Sequence, residues 1–277
     1  MTLPTFIGIG AQRAATTWAY ECLQEHPQVF MAPKKEIHFF NSNFDKGIAW
    51  YESHFHGSMG FPAIGEITPN YLNNPDAIPR MAQLVPDATL FVILREPVSR
   101  AYSAYKLLHA QFKGMSFREA CEFSPYLINL SLYAKDLQRL LTHYQRNRVG
   151  IFLYENVKNK PYEMLSDLFT LIGVDQEYRP KAATRVFNPI IFPKLQEYLI
   201  KAGATKPIAL IKKTALGIWI KQFFTNRQHH HSLKIKLGQS DAETIDKEYR
   251  LQLKKRFHED VLETQEIIQI DLSSWLK

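Results

Sequence analysis

The residues best placed to do chemistry stand in one stretch near the start of the chain, Phe6-Ile7-Gly8-Ile9-Gly10-Ala11-Gln12-Arg13-Ala14-Ala15-Thr16-Thr17-Trp18. A short apolar strand runs into a Gly/Ala turn, and two threonines then open a helix. That layout aims backbone N–H groups and the positive end of a helix at one point, which is how a protein holds a phosphate. The nearest cation, Arg13, lies inside the turn itself.

The turn departs from the nucleoside-triphosphate pattern. A Walker A motif counted from Gly10 requires Gly where this chain has Ala15, and Lys where it has Thr16. Downstream, the apolar run Leu90-Phe91-Val92-Ile93-Leu94 ends in Arg95-Glu96 rather than in a magnesium-binding Asp. The loop is therefore expected to hold a phosphate group without running ATP chemistry.

The elements that must position these residues alternate. Strands are predicted over Thr5–Gly8, Gln28–Met31, Ala63–Ile67, Thr89–Leu94 and Val149–Tyr154. Helices are predicted over Thr16–Glu25, Asp76–Leu84, Pro97–Gln111, Phe117–Phe123, Leu132–Arg146, Pro161–Ile172 and Glu243–Ile270. This order predicts an α/β fold, a single P-loop-like domain over 1–277 with a central, mainly parallel sheet flanked by helices. Pro97 suits a first helical turn, and Gly173 sits where a helix C-terminal glycine belongs.

At 277 residues, 45% hydrophobic and 13% aromatic, the chain can bury a large core and does not read as disordered. It has no uninterrupted apolar run of the roughly 18 residues that span a bilayer. The lead Met1–Thr5 lacks a charged-then-apolar signal pattern, so a cytoplasmic location is expected. Cys22 and Cys121 have neither metal-ligand spacing nor the numbers of a disulfide framework, and read as buried small apolar residues. The consecutive His229, His230 and His231 do not share a helix face and make a poor metal site.

The net charge of +7 is concentrated. From Tyr198 to Ser240 there is no Asp or Glu, yet there are eight cations: Lys201, Lys206, Lys212, Lys213, Lys221, Arg227, Lys234 and Lys236. A block of this kind favours an anionic partner, or is a solvated basic face. Within it, Ile208, Ile211, Ala215, Ile218 and Trp219 recur at helical spacing with lysines outside the stripe, so residues 206–224 could lie on an anionic membrane, cover a cleft or pack into the core.

Four segments in order carry a family resemblance: the Arg13 loop; Lys34-Lys35-Glu36-Ile37-His38-Phe39-Phe40-Asn41 leading into Gly47-Ile48-Ala49-Trp50-Tyr51; Glu66-Ile67-Thr68-Pro69-Asn70-Tyr71; and Leu94-Arg95-Glu96-Pro97 through Arg100 to Ser103-Ala104-Tyr105. The set resembles the PAPS-dependent sulfotransferases, in particular the heparan sulfate N- and O-sulfotransferase domains. The resemblance implies a sulfotransferase fold and sulfuryl transfer from PAPS (3′-phosphoadenosine 5′-phosphosulfate, leaving PAP) without a metal. It implies a hydroxyl or amine acceptor on a glycan, glycolipid or small alcohol, with no nucleic acid expected as a partner.

The same resemblance assigns residues. The loop Gln12, Arg13, Ala14, Ala15, Thr16, Thr17 and Trp18 maps onto the cofactor-binding loop, with Arg13, Thr16 and Thr17 at the 5′-phosphosulfate. Arg95 and Ser103 map onto the 3′-phosphate pair. Glu36 maps onto the general base, with His38 beside it, on the same side if that segment is extended. Many relatives carry Lys at the position of Arg13, which keeps the charge but cannot give up a proton. The heparan sulfate enzymes carry a lysine where this chain has Ile67, so one cation is missing, and Lys35 or a lysine of the basic block is the expected substitute. Glu66 reads as a buried structural acid, Thr68-Pro69 as a turn below the site, and Phe39, Phe40, Trp50 and Tyr51 as core. The competing readings are a P-loop nucleotide kinase or other phosphotransferase, and a non-catalytic binder of an acidic polymer or membrane.

Overall fold

The computed structural model describes residues 2–108, 111, 112, 114–185 and 245–277. The elements below form one unit drawn from residues 1–187 and 245–277. The basic segment 198–240, its predicted 206–224 helix and His229–His231 lie outside the described residues.

Five strands form one sheet: β1 Phe6–Gly10, β2 Val29–Met31, β3 Ala63–Ile67, β4 Thr89–Leu94 and β5 Val149–Leu153, in the order β2-β3-β1-β4-β5. Every pairing is parallel. β1, β3 and all of β4 but its first residue are buried, as strands covered on both faces must be. From β1 the chain crosses to the edge strand β2 and returns to β3 on one side, then passes over to β4 and β5 on the other. A crevice therefore opens at the carboxyl ends of β1 and β4, where such sheets place ligands.

The described helices are α1 Thr16–Glu25, α2 Phe39–Ser42, α3 Ile48–Glu52, α4 Ala77–Leu84, α5 Pro97–Leu108, α6 Phe117–Phe123, α7 Tyr126–Asn129, α8 Ala134–His143, α9 Tyr154–Asn159, α10 Pro161–Leu171, α11 Lys247–Ile268 and α12 Ser273–Leu276. Predicted and observed helices agree except at their ends and for the short α2, α3, α7, α9 and α12, whose single turns carry no periodic signal. Pro161 stands in the first turn of α10, and Gly173 beyond its end takes a φ of +75°. No described helix is long and apolar enough to cross a membrane. Cys22 and Cys121 are free and buried.

The Lys34–Asn41 segment differs from its extended reading. His38 takes a left-handed backbone (φ +57°) and opens α2. The pair of phenylalanines that follows explains the turn. Phe39 and Phe40 are both buried, and Phe39 stacks on Tyr51 of α3 with centroids 4.3 Å apart. A strand would send alternate residues to opposite faces, whereas a helical turn buries both.

Contacts from distant elements fix the floor of the crevice. Arg100 is fully buried and donates to Ser131 Oγ at 2.5 Å and to the Leu127 carbonyl at 2.7 Å, which pins α5 to α7. Tyr133 donates its hydroxyl to the Arg95 carbonyl at 2.9 Å. The Tyr133 and Trp275 rings lie 6.2 Å apart, so the C-terminal tryptophan backs the end of β4. Asp260 of α11 accepts from the backbone N–H groups of Tyr133 and Ala134 at 2.8 and 3.1 Å, closing the start of α8.

Candidate active site

The first loop is built to present backbone. Its Ala11 N–H donates to the Ile93 carbonyl at 2.8 Å, so it leaves the sheet stitched to β4. Arg13 and Ala15 adopt φ of +72° and +64°, a region that side-chain-bearing residues seldom enter. Ala15 is the N-cap of α1 and has no side-chain oxygen with which to cap it. The first turn of α1 carries no acid either. An anion is what such a helix end favours. Gly10 allows the close packing underneath, since a Cβ there would lie 2.8 Å from Leu72 Cβ.

Three of the sequence-assigned residues meet. Arg13 Nε donates to Ser103 Oγ at 3.1 Å, and Arg95 Nη1 donates to the Arg13 carbonyl at 3.0 Å. Arg95 and Ser103 are 8% and 5% exposed, so both belong to the crevice floor rather than to the surface. The Arg95 guanidinium lies over the Tyr154 ring, 4.4 Å from its centroid. Tyr154 was not singled out from sequence, although strand register points to it. Leu94 pairs with Leu153, so the next residues on the two strands, Arg95 and Tyr154, emerge side by side.

Glu96 stands where a metal-binding Asp would follow the strand. Its carboxylate accepts from Val98 N at 3.1 Å and from Ser99 N at 2.8 Å, capping α5, and Arg250 Nη2 lies 3.6 Å from it. It is occupied as a helix cap.

Other loop residues play smaller parts. Thr16 is buried, Gln12 and Thr17 are half-buried, and Ala14 is buried and can offer only backbone. Trp18 turns into the core and donates its indole N–H to the Ala183 carbonyl at 3.0 Å. Next to the loop is a cavity of about 360 Å³. Among the described residues its walls include Gln12, Ala104, Leu107, Phe112, Phe123 and Tyr126.

Glu36 and His38 form a second cluster. His38 Nε2 lies 3.1 Å from Glu36 Oε2, Asn41 Nδ2 lies 3.3 Å from the other ring nitrogen, and Lys35 Nζ lies 3.6 Å from Glu36 Oε1. The Glu36 and His38 side chains therefore meet across the turn at His38, without an extended backbone between them. Burial holds the Lys35 ammonium below the ordinary lysine range, against the upward pull of Glu36. Ile67, at the position of the missing lysine, is 1% exposed and packs over Gly8, where a Cβ would lie 2.8 Å from its Cγ1.

Under this cluster lies Glu66, 1% exposed. Its Oε1 accepts from the hydroxyls of Tyr51 at 3.0 Å and Tyr71 at 2.9 Å, and its Oε2 accepts from Thr68 at 2.7 Å. Burial pushes its carboxyl up to about 7, against the pull of those hydroxyls.

A parallel α/β sheet with a Gly/Ala loop after its first strand and an Arg/Ser pair after its fourth is the arrangement that the motif resemblance implies. The comparisons agree. Residues 55–178 match the model of the sulfotransferase family, a segment that contains Arg95 and Ser103 and begins after Arg13 and Glu36. A crystal structure of a sulfotransferase from Alicyclobacillus acidocaldarius superposes with a TM-score of 0.72 at 23% identity, covering 100% of both chains. The membrane-associated sulfotransferase kil1 of Dictyostelium discoideum is 31% identical over 186 residues, 62% of this chain and 39% of that protein. Human heparan sulfate glucosamine 3-O-sulfotransferase 3B1 is 32% identical over 182 residues, 62% of this chain and 46% of that protein. The resemblance drawn from the motifs is thereby borne out: a sulfotransferase-family segment on the sulfotransferase fold. The chain spans less than half the length of these two curated relatives.

Proposed function

We propose that this protein transfers a sulfuryl group from PAPS to a hydroxyl or amine of a carbohydrate-like or lipid-linked acceptor. The observation that carries this reading is the meeting of Arg13, Arg95 and Ser103 at the amino end of α1, where that end has no side-chain cap. Two guanidinium groups, a hydroxyl and helix N–H groups are a donor set for an anion phosphorylated at two places. In this reading Arg13, Thr16 and Thr17 hold the 5′ end of the nucleotide, and Arg95 and Ser103 hold the 3′-phosphate. The nucleotide brings the sulfuryl group.

Glu36 takes the acceptor proton as the acceptor oxygen or nitrogen bonds to sulfur and the sulfur–oxygen bond to the 5′-phosphate breaks. Arg13 and the helix N–H groups stabilise the charge left on that phosphate, electrostatically and by hydrogen bond, because arginine keeps its proton. Lys35, 3.6 Å from Glu36, serves in place of the lysine absent at Ile67.

A glycan acceptor is supported by the relatives named for heparan sulfate, and a lipid-linked one by the relative named as membrane-associated together with the basic 198–240 block. The test is transfer of labelled sulfate from PAPS, in the presence of a chelator, onto a panel of glycans, glycolipids and small alcohols. Labelled product is expected on at least one class. Transfer of labelled phosphate from ATP–Mg²⁺, with none of sulfate, would replace this reading with a kinase.

A further inference from the structure

Glu66 does more than fill a buried position. Three hydroxyls donate to its carboxyl group, and two of them have a second partner in the segment that carries Glu36 and His38. Thr68 Oγ1, which donates to Glu66, accepts from the His38 backbone N–H at 3.4 Å. The Tyr71 hydroxyl, which also donates to Glu66, accepts from the Phe39 N–H at 2.9 Å. Tyr51 donates its proton to the same carboxyl but touches that segment through its ring, which stacks on Phe39, and not through its hydroxyl. A hydroxyl has one proton to give and lone pairs to receive with. Spending the proton on Glu66 therefore turns the lone pairs of Thr68 and Tyr71 toward the two N–H groups.

Those N–H groups need this support. His38 holds a φ of +57°, costly for a residue with a side chain, and supplies no side-chain cap to α2. The first amides of the turn are therefore held from below by two hydroxyls presented just after β3. That hold sets where the His38 ring stands, and the ring lies 3.1 Å from Glu36.

We infer that Glu66 is a positioning residue: through the hydroxyls of Thr68 and Tyr71 it locks the backbone at His38 and Phe39, and so fixes the Glu36–His38 pair. The inference rests on the reading of Glu36 as proton acceptor for its effect on turnover, but its structural part can be read without any turnover.

The experiment compares Thr68→Val, Tyr71→Phe, Tyr51→Phe and Glu66→Gln in the full chain. Each is followed by kcat, by KM for PAPS, and by the NMR chemical shifts of the His38 ring at one fixed pH. Thr68→Val and Tyr71→Phe are expected to lower kcat by between about 10- and 100-fold with KM for PAPS unchanged, the scale of a displaced catalytic group. Both should displace the His38 ring signals. Tyr51→Phe should do neither, although it too removes a donor from the buried carboxyl. Glu66→Gln should follow Thr68→Val, and if it does not fold the two hydroxyl variants carry the test. Equal loss of kcat in Tyr51→Phe and Tyr71→Phe, or His38 ring signals unmoved in Thr68→Val and Tyr71→Phe, overturns the inference. If the ring signals move as expected while Glu36→Gln turns over normally, the positioning network stands and the assignment of the base falls.

Discussion

Arg13 and Ser103, ninety positions apart in the chain, are joined by a 3.1 Å hydrogen bond between Nε and Oγ. One follows β1 and the other sits on α5 after β4, so the bond bridges the two strands at which the sheet changes winding direction. It brings together the loop assigned to the 5′ end of the nucleotide and the helix assigned to its 3′-phosphate.

This contact predicts energetic coupling. Arg13→Ala and Ser103→Ala should each weaken PAP binding, Arg13→Ala by roughly 2–4 kcal/mol as the loss of a charge-assisted contact does. Because the two side chains touch, the double variant should lose less than the two singles added together, by about 0.5–3 kcal/mol. Calorimetric titration of PAP into the four proteins measures this. Strict additivity would mean that the two residues bind independently.

Glu36→Gln should retain PAP affinity and lower turnover by about 10²–10⁴-fold, the range for removal of a positioned base. His38→Ala is expected to have a smaller effect, because the ring adjoins the carboxylate while Lys35 stands on its other oxygen. Single-turnover assays on the best acceptor separate binding from chemistry. Normal turnover in Glu36→Gln would move the role to His38.

Much of this was legible in the sequence, and the reasons are local. The Arg13 loop could be read because a strand, a Gly/Ala turn and a Thr-initiated helix are contiguous. Arg95 and Ser103 could be singled out because the family resemblance maps its 3′-phosphate pair onto them, one at the end of an apolar run and the other on the helix that follows. Tyr154 escaped because its role depends on the β4–β5 register, a property of two distant segments. The left-handed turn at His38 escaped because it is imposed by burying Phe39 and Phe40 against α3, which no residue within the segment announces. Glu66 could be seen to be buried, but the hydroxyls that make it matter come from α3 and from the turn after β3.

The stability of the protein should depend on pH through Glu66. Its carboxyl titrates near 7 in the folded chain, against an ordinary value of 4.5, with burial as the first cause, the hydroxyls of Thr68, Tyr71 and Tyr51 pulling the other way, and the charge of Glu36 adding to burial. The folded state therefore holds this proton more tightly than the unfolded state. Its contribution to stability is complete below about 4.5 and is lost as pH rises through about 7. In Glu66→Gln that loss should vanish, so the melting-temperature difference between native protein and variant should change steadily in the variant's favour across this window. A difference that stays constant with pH would show that Glu66 does not titrate there.

In the proposed function the Arg13–Arg95–Ser103 cluster holds a nucleotide phosphorylated at both its 3′ and 5′ positions. Calorimetric titration with PAP and with adenosine 5′-monophosphate, in chelator, of the native protein and of Arg95→Ala tests it most directly. PAP should bind the native protein more tightly than the monophosphate by roughly 2–4 kcal/mol. Arg95→Ala should lose most of that preference while keeping its affinity for the monophosphate. Equal affinity of the native protein for the two nucleotides would contradict the account.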